Sequence, residues 1–225
     1  MRNLDRKLWR SNTIICGVDE VGRGALAGPV VAAAVVLPLN IRIPGVRDSK
    51  LLSPKKRCRL AAVIKSRALA WAVAAVGHHF IDRVNIVNAT FYVMRQAVLR
   101  LQKKIGFSID SDFIVLVDGA KIPGLEFPCE GIIRGDQQSL SIACASIVAK
   151  VYRDELMMKM DKLFPGYELA RHKGYGTPQH LAALKLLGPS PIHRRSFEPV
   201  KSLLYLHGSR LSAVGRRPVQ GQIYG

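Results

Sequence analysis

Apolar and polar positions change period several times along the chain, and each change marks an element. Thr13–Val18 is an almost unbroken apolar run, which predicts a buried strand, and Pro29–Leu37 predicts a second, closed by Pro38. Ser53-Pro54 opens a helix, with Ser as N-cap and Pro at the first helical position. Leu60, Ala61, Val63 and Ile64 carry it to about Arg67. Ala68–Val76 predicts a third strand before Gly77, with a helix left open because periodicity alone does not decide so short a run. From Ile81 to about Lys104, residues Ile81, Val84, Val87, Phe91, Met94, Val98 and Leu101 recur at three- and four-residue spacing, which predicts one long helix. Phe113–Val117 has parallel-strand character and ends on Asp118. Gly131–Ile133 predicts a short strand, with Asp136 just beyond it. Ser139 to about Phe164 is a long helix, and Thr177-Pro178 opens another with the same cap chemistry. After Gly208 the chain is rich in Gly, Arg and Ser and predicts a loose tail.

Strands alternating with helices in this order predict a mixed α/β domain. We expect a single domain over 13–205, with a sheet core over about 13–165, a helical part over about 166–205 and a basic tail over 206–225. No run reaches the ~18 apolar residues of a membrane span. The start, Met1 to Lys7, lacks the apolar core of a signal peptide, so a cytoplasmic protein is expected. The cysteines Cys16, Cys58, Cys129 and Cys144 are widely spaced, and Cys16 and Cys144 read as buried, reduced thiols.

Charge changes the picture. The chain has 34 Lys and Arg against 16 Asp and Glu, a net charge of +18. Much of the excess is clustered. One cluster holds Arg47, Lys50, Lys55, Lys56, Arg57, Arg59, Lys65 and Arg67, with only Asp48 among them. A second holds Arg194, Arg195, Lys201, Arg210, Arg216 and Arg217, with only Glu198. Patches of this kind favour a polyanionic partner through phosphate neutralisation and counterion release. No amphipathic helix with an aromatic face argues for a membrane surface.

Candidate chemistry starts at Asp19-Glu20, which ends the first apolar run and precedes Gly22-Arg23-Gly24. Two adjacent carboxylates at a buried strand end repel each other, and a divalent metal is the commonest compensation. The glycines let backbone N–H groups approach a ligand closely. Asp118 and Asp136 follow later strands, so neighbouring strands would gather four carboxylates at one sheet edge. Such a set can hold two divalent ions about 4 Å apart for an in-line phosphoryl displacement. Mg²⁺ suits that work because it keeps positions open for phosphate oxygens and water. The glycine run is no dinucleotide fingerprint, since Pro29 and a Val/Ala strand follow where a helix is required.

Taken together, these blocks resemble ribonuclease HII, the bacterial type 2 ribonuclease H. The matching segments are 17–24 with 28–34, Asp48-Ser49-Lys50, Val117-Asp118-Gly119, Gly135-Asp136, 141–154, His172 to Thr177 with His180, and His193 to Phe197. They lie in the family's order and cover roughly residues 14–201. The resemblance implies a ribonuclease H-like fold: a five-stranded mixed sheet flanked by helices, with a helical C-terminal extension. It implies an endoribonuclease acting on RNA:DNA hybrids and on ribonucleotides embedded in duplex DNA, leaving a 3′-hydroxyl and a 5′-phosphate.

By the same resemblance, Asp19, Glu20, Asp118 and Asp136 are the catalytic, metal-holding residues, with Mg²⁺ or Mn²⁺ as the ions. Gly22, Arg23 and Gly24 contact the ribonucleotide, Tyr175 packs on the neighbouring sugar, Ser49 and Lys50 hold a phosphate of the DNA strand, and Lys150 reaches the substrate. A monomer is expected. The chain departs from the family pattern at Ala25, often Pro, at Leu51, often Lys, and at Cys144, usually Ala. Ribonuclease HIII is the alternative within the class, and a non-catalytic nucleic-acid-binding module is the alternative outside it.

Overall fold

The structure, a computed structural model, describes residues 3–10, 13–46, 52–105 and 112–208. A short helix α1 (Asn3–Trp9), which the sequence reading did not anticipate, precedes the first strand. Then follow β1 (Ile14–Val21), β2 (Val30–Val36), α2 (Pro54–Arg67), β3 (Ala70–Val76), α3 (His78–Val84) and α4 (Ile86–Ile105). The rest is β4 (Phe113–Asp118), β5 (Cys129–Ile132), α5 (Gly135–Gln138), α6 (Leu140–Leu163), α7 (Leu169–His172), α8 (Pro178–Leu187) and α9 (Val200–Gly208). The five strands form one sheet in the order β3-β2-β1-β4-β5. β1 runs antiparallel to β2 and parallel to β4, and β4 runs parallel to β5. This is the five-stranded mixed sheet, flanked by helices, that was expected.

Local chemistry explains the boundaries. Ser53 caps α2, its hydroxyl accepting the Lys56 N–H at 3.4 Å, and Thr177 caps α8 by accepting the His180 N–H at 3.3 Å. The segment left open at 70–76 is a strand: Ala72 and Ala74 face the core in alternation, while the Trp71 ring carries the ammonium groups of Lys65 and Lys104. The long helix predicted over 81–104 is two helices. Asn85 adopts a φ of 67° and its Oδ1 accepts the N–H groups of Val87 and Asn88, so it ends α3 and caps α4.

Packing divides the chain into two compact units, one from 1–21, 31–74 and 90–153, the other from 22–30, 75–89 and 154–225. In the first, β2 is buried along its whole length. The start of α6 lies directly on β1, because a Cβ at Gly17 would come within 2.1 Å of the Ser141 backbone. Asp5 of α1 also holds that helix start. Its Oδ2 accepts the Ser141 N–H at 2.9 Å and hydroxyl at 2.8 Å, a cap supplied from far along the chain. In the second unit, Leu26, Met157, Met160, Tyr167, Leu184 and Val200 belong to one apolar core.

Candidate active site

The parallel register of β1 and β4 matches Val18 with Val117, so Asp19 and Asp118 stand level at the same end of the sheet. Side chains alternate along a strand, so Asp19 shares the face of Gly17, on which α6 packs, and Glu20 points to the other face. Asp19 is buried. Its Oδ1 accepts the Glu20 N–H at 2.7 Å, and the Ser146 side chain of α6 also bonds to the carboxylate. Burial raises the Asp19 pKa well above the ordinary carboxylate value, and the nearby Glu20 and Asp118 charges raise it further. The Ser146 and Glu20 N–H bonds oppose the rise.

Asp118 is half-buried and its Oδ1 accepts the Gly135 N–H at 2.6 Å. That bond anchors the start of α5, where Asp136 lies in the first turn. Asp136 therefore does not sit at a strand end as expected. β5 stops at Ile132, Arg134 takes a left-handed conformation, and the chain has already turned into α5 when it reaches Asp136. The strand-end reading failed because β5 is a four-residue edge strand, too short to carry its acid. Lys150 lies one turn beyond Ser146 on the same face of α6 and is half-buried.

Asp19 is enclosed, and two further carboxylates raise its affinity for a proton, which is the electrostatic signature of a place that wants positive charge. Among the described residues, no three His, Cys, Asp or Glu side chains converge tightly enough to hold an ion by themselves. Asp19, with the Glu20 and Asp118 charges beside it, would suit an ion that takes the rest of its shell from water and substrate oxygens, as Mg²⁺ and Mn²⁺ do.

The second unit contains the glycine loop and Tyr175. Gly22 has a φ of 96°, a conformation that glycine adopts at no steric cost, and the Arg23 and Gly24 residues after it are exposed. Ala25 bridges to Tyr175, the Leu26 N–H donates to the Gly174 carbonyl at 2.8 Å, and the Gly28 N–H donates to the Ile192 carbonyl at 3.0 Å. The loop is therefore pinned between the segments around Gly174 and Ile192. Tyr175 is half-buried, and its carbonyl accepts both the Thr177 N–H and the His180 ring.

That last bond starts a chain of buried histidines which the sequence reading missed as a network. A carbonyl only accepts, so His180 Nδ1 carries the proton, and its Nε2 accepts from His193 Nε2 at 3.0 Å. His193 Nδ1 in turn accepts the Ser190 N–H at 2.9 Å. His172 stacks on His180 at 4.3 Å and is held between the Tyr167 carbonyl and the Gly174 N–H. Burial is the main cause that lowers His180 to about 4 and His193 to about 3, and the neighbouring histidines add to it. The spacing of three histidines over 172–193 was visible in the sequence, but their partners are mostly backbone groups, which sequence does not reveal.

The basic clusters also need correction. Lys55, Lys56 and Arg59 are exposed on α2, but Arg57 is buried and donates to the Leu52 carbonyl at 2.9 Å. In the second cluster Arg195 and Lys201 are exposed, whereas Arg194 is fully enclosed. Ser49 and Lys50 lie outside the described residues, as do Arg210, Arg216 and Arg217. Ser146 was the other miss: a serine four residues before a lysine on an apolar helix was the available signal. No helix among the described residues is long and apolar enough to cross a membrane.

The sequence model of the family described as Ribonuclease HII matches residues 16–200. The Ribonuclease HII of Dechloromonas aromatica (strain RCB) is 50% identical over 193 residues, which are 86% of this chain and 95% of that protein. The Ribonuclease HII of Geobacter metallireducens is 48% identical over 205 residues, 88% of this chain and 93% of that protein. Among solved structures, the ribonuclease H2 from Pyrococcus horikoshii OT3 superposes with a TM-score of 0.70 at 24% identity, covering 86% of this chain and 98% of that one. At that identity the likeness speaks to the fold, which is the ribonuclease H-like fold that the resemblance implied.

Proposed function

The chain belongs to the ribonuclease HII family, and from that membership we propose that it cuts on the 5′ side of ribonucleotides embedded in duplex DNA as well as within hybrids. As a family member it is a metal-dependent hydrolase of phosphodiester bonds, an endoribonuclease acting on RNA:DNA hybrids. The finer reading covers the embedded ribonucleotide, the 3′-hydroxyl and 5′-phosphate ends, and the use of two ions. The embedded ribonucleotide and the product ends rest on the family membership; the observation that supports metal ions is the buried Asp19 carboxylate, crowded by Glu20 and Asp118 at one end of the sheet.

In this reading Asp19, Glu20, Asp118 and Asp136 hold the divalent ions. When bound, Mg²⁺ or Mn²⁺ supplies a hydroxide at neutral pH and neutralises charge on the leaving oxygen. The chain's own residues do the rest. Ser146 and the Glu20 N–H fix the orientation of Asp19 and favour its ionised form. The Gly135 N–H fixes the orientation of Asp118. Lys150 contributes positive charge for a phosphate. The backbone of Gly22, Arg23 and Gly24, which follows Asp19-Glu20 in the chain, meets the ribonucleotide, whose 2′-hydroxyl can both donate and accept. Tyr175 packs on the adjoining sugar, Ser49 and Lys50 bind the DNA strand, and the enzyme acts as a monomer in the cytoplasm.

The test is a cleavage assay on duplex DNA bearing one ribonucleotide, beside a uniform hybrid, with Mg²⁺, with Mn²⁺ and with chelator. We expect one cut 5′ of the ribonucleotide, a ligatable 3′-hydroxyl and no product with chelator. Cleavage of the hybrid alone would remove the embedded-ribonucleotide reading.

A further inference from the structure

Arg194 belongs, by composition, to a basic patch, yet its side chain is 0% exposed. Its guanidinium instead faces the backbone of the glycine loop. Nη2 donates to the Gly22 carbonyl at 2.6 Å, Nη1 to the Arg23 carbonyl at 2.7 Å, and Nε and Nη2 to the Gly28 carbonyl at 3.2 and 3.1 Å. The Arg194 N–H donates to the Leu26 carbonyl at 2.9 Å, and the Phe197 ring lies 5.0 Å from the guanidinium carbon. One side chain thus grips both ends of the loop.

We propose that Arg194 is a specificity-positioning residue: by drawing the Gly22 and Arg23 carbonyls inward, it turns the N–H groups of Arg23 and Gly24 outward to meet the ribonucleotide. The geometry is a consequence of the planar trans peptide, in which the carbonyl and the following N–H point in opposite directions. The Gly22 carbonyl and the Arg23 N–H share one such plane, and the Arg23 carbonyl and Gly24 N–H share the next. Both planes have their carbonyls on Arg194, so both N–H groups point away from it. Arg23 and Gly24 are the two exposed residues of the loop. A lysine cannot replace this grip, since its ammonium is a single point of donation, whereas the planar fork reaches several carbonyls at once. Arg194 acts through the loop and is not itself a catalytic residue.

The inference rests on the reading of the loop as the element that meets the ribonucleotide, and the experiment separates the two. Arg194→Met and Arg194→Lys are compared with the parent, well below each variant's unfolding midpoint. The measurements are kcat/KM on the single-ribonucleotide duplex and on the hybrid, Kd for plain duplex DNA, and Mn²⁺ affinity. We expect kcat/KM on the single ribonucleotide to fall by about a hundred-fold in Arg194→Met, the scale of a 1 Å misplacement, and by more than about ten-fold in Arg194→Lys. The hybrid, which offers many registers, should suffer at least about five-fold less, while Mn²⁺ affinity and plain-duplex binding stay within about three-fold. If Arg194→Met does not fold, Arg194→Lys alone decides. Equal losses on the two substrates would mean a merely structural arginine and would overturn the inference. Gly24→Ala serves as the control on the loop itself, because a Cβ there meets nothing within 4 Å and leaves the fold untouched. A fully active Gly24→Ala would remove the loop reading; an impaired Gly24→Ala beside an Arg194→Lys with the parent's substrate ratio would remove the arginine inference alone.

Discussion

Lowering the pH from about 8 to about 5 should cost this protein about 4 kcal/mol of stability through two histidines alone. His180 and His193 are enclosed, and their folded pKa values drop from 6.5 to about 4 and about 3. In the unfolded chain each takes up a proton near the ordinary value. Between that value and about 4 the unfolded state therefore binds more protons than the folded state. Stability is complete above the unfolded pKa and falls as the pH falls. At pH 5 the shifts correspond to about 2 kcal/mol per ring. The rings contact each other at 3.0 Å, so the sum of the two is an upper figure. It is still large against a total stability of roughly 5–15 kcal/mol.

Asp19 works in the opposite sense. Its folded pKa is raised, so the folded state binds that proton more tightly and gains stability as the pH falls through the folded value. A substitution isolates the histidine part. In His193→Gln the amide can still donate to His180 Nε2 but does not titrate. Denaturant unfolding of the metal-free protein at about pH 8, 7, 6 and 5 should show the parent losing about 2 kcal/mol more than His193→Gln. His78, also lowered to about 4, adds equally to both curves. Parallel curves for the two proteins would refute a neutral His180–His193 pair.

Further outcomes follow from the carboxylates and from Tyr175. Asp118→Asn should abolish cleavage while hybrid binding stays within several-fold, since basic residues supply the affinity; a variant keeping more than about a tenth of the parent rate would count against the metal assignment. Ser146→Ala removes a bond that favours ionised Asp19, so the acid limb of the kcat/KM profile should move to higher pH at fixed Mn²⁺; a limb that stays in place would mean that the bond is idle in catalysis. Tyr175→Ala should weaken cutting at a single embedded ribonucleotide far more than cutting of a hybrid, read as the ratio of the two kcat/KM values; an unchanged ratio would leave Tyr175 a half-buried loop aromatic.

Strands were legible wherever burial wrote itself into composition. β1, β2 and β4 are apolar runs because both faces are covered, and Asp19, Glu20 and Asp118 were visible as the acids that interrupt such runs at one end. The caps of α2 and α8 were legible for the same local reason, a Ser-Pro and a Thr-Pro step. The break at Asn85 was not, because the apolar spacing continues across it and only the backbone angle records the turn. Asp136 was placed correctly next to Gly135 in sequence but wrongly in structure, since a left-handed Arg134 and one turn of helix intervene.

Much of what stayed hidden shares one physical character: a polar side chain whose partner is the main chain. Arg194 bonds to carbonyls of Gly22, Arg23 and Gly28, Arg57 to that of Leu52, and His180 to that of Tyr175. Every residue carries a carbonyl, so such a partner leaves no mark in the sequence, whereas an acid beside a base would. Counting Lys and Arg therefore overstates the charge presented to nucleic acid. The excess of 34 over 16 includes arginines that are already committed to holding loops and helix ends. A salt titration of duplex binding can tell the two populations apart. Replacing exposed Lys56 or Arg59 should lower the salt slope by about one ion each, the outcome expected of a side chain that neutralises a phosphate directly. Arg194→Lys should leave that slope unchanged while it alters substrate choice. A fall in slope for Arg194→Lys equal to that for Lys56→Ala would mean that the enclosed guanidinium reaches phosphate after all.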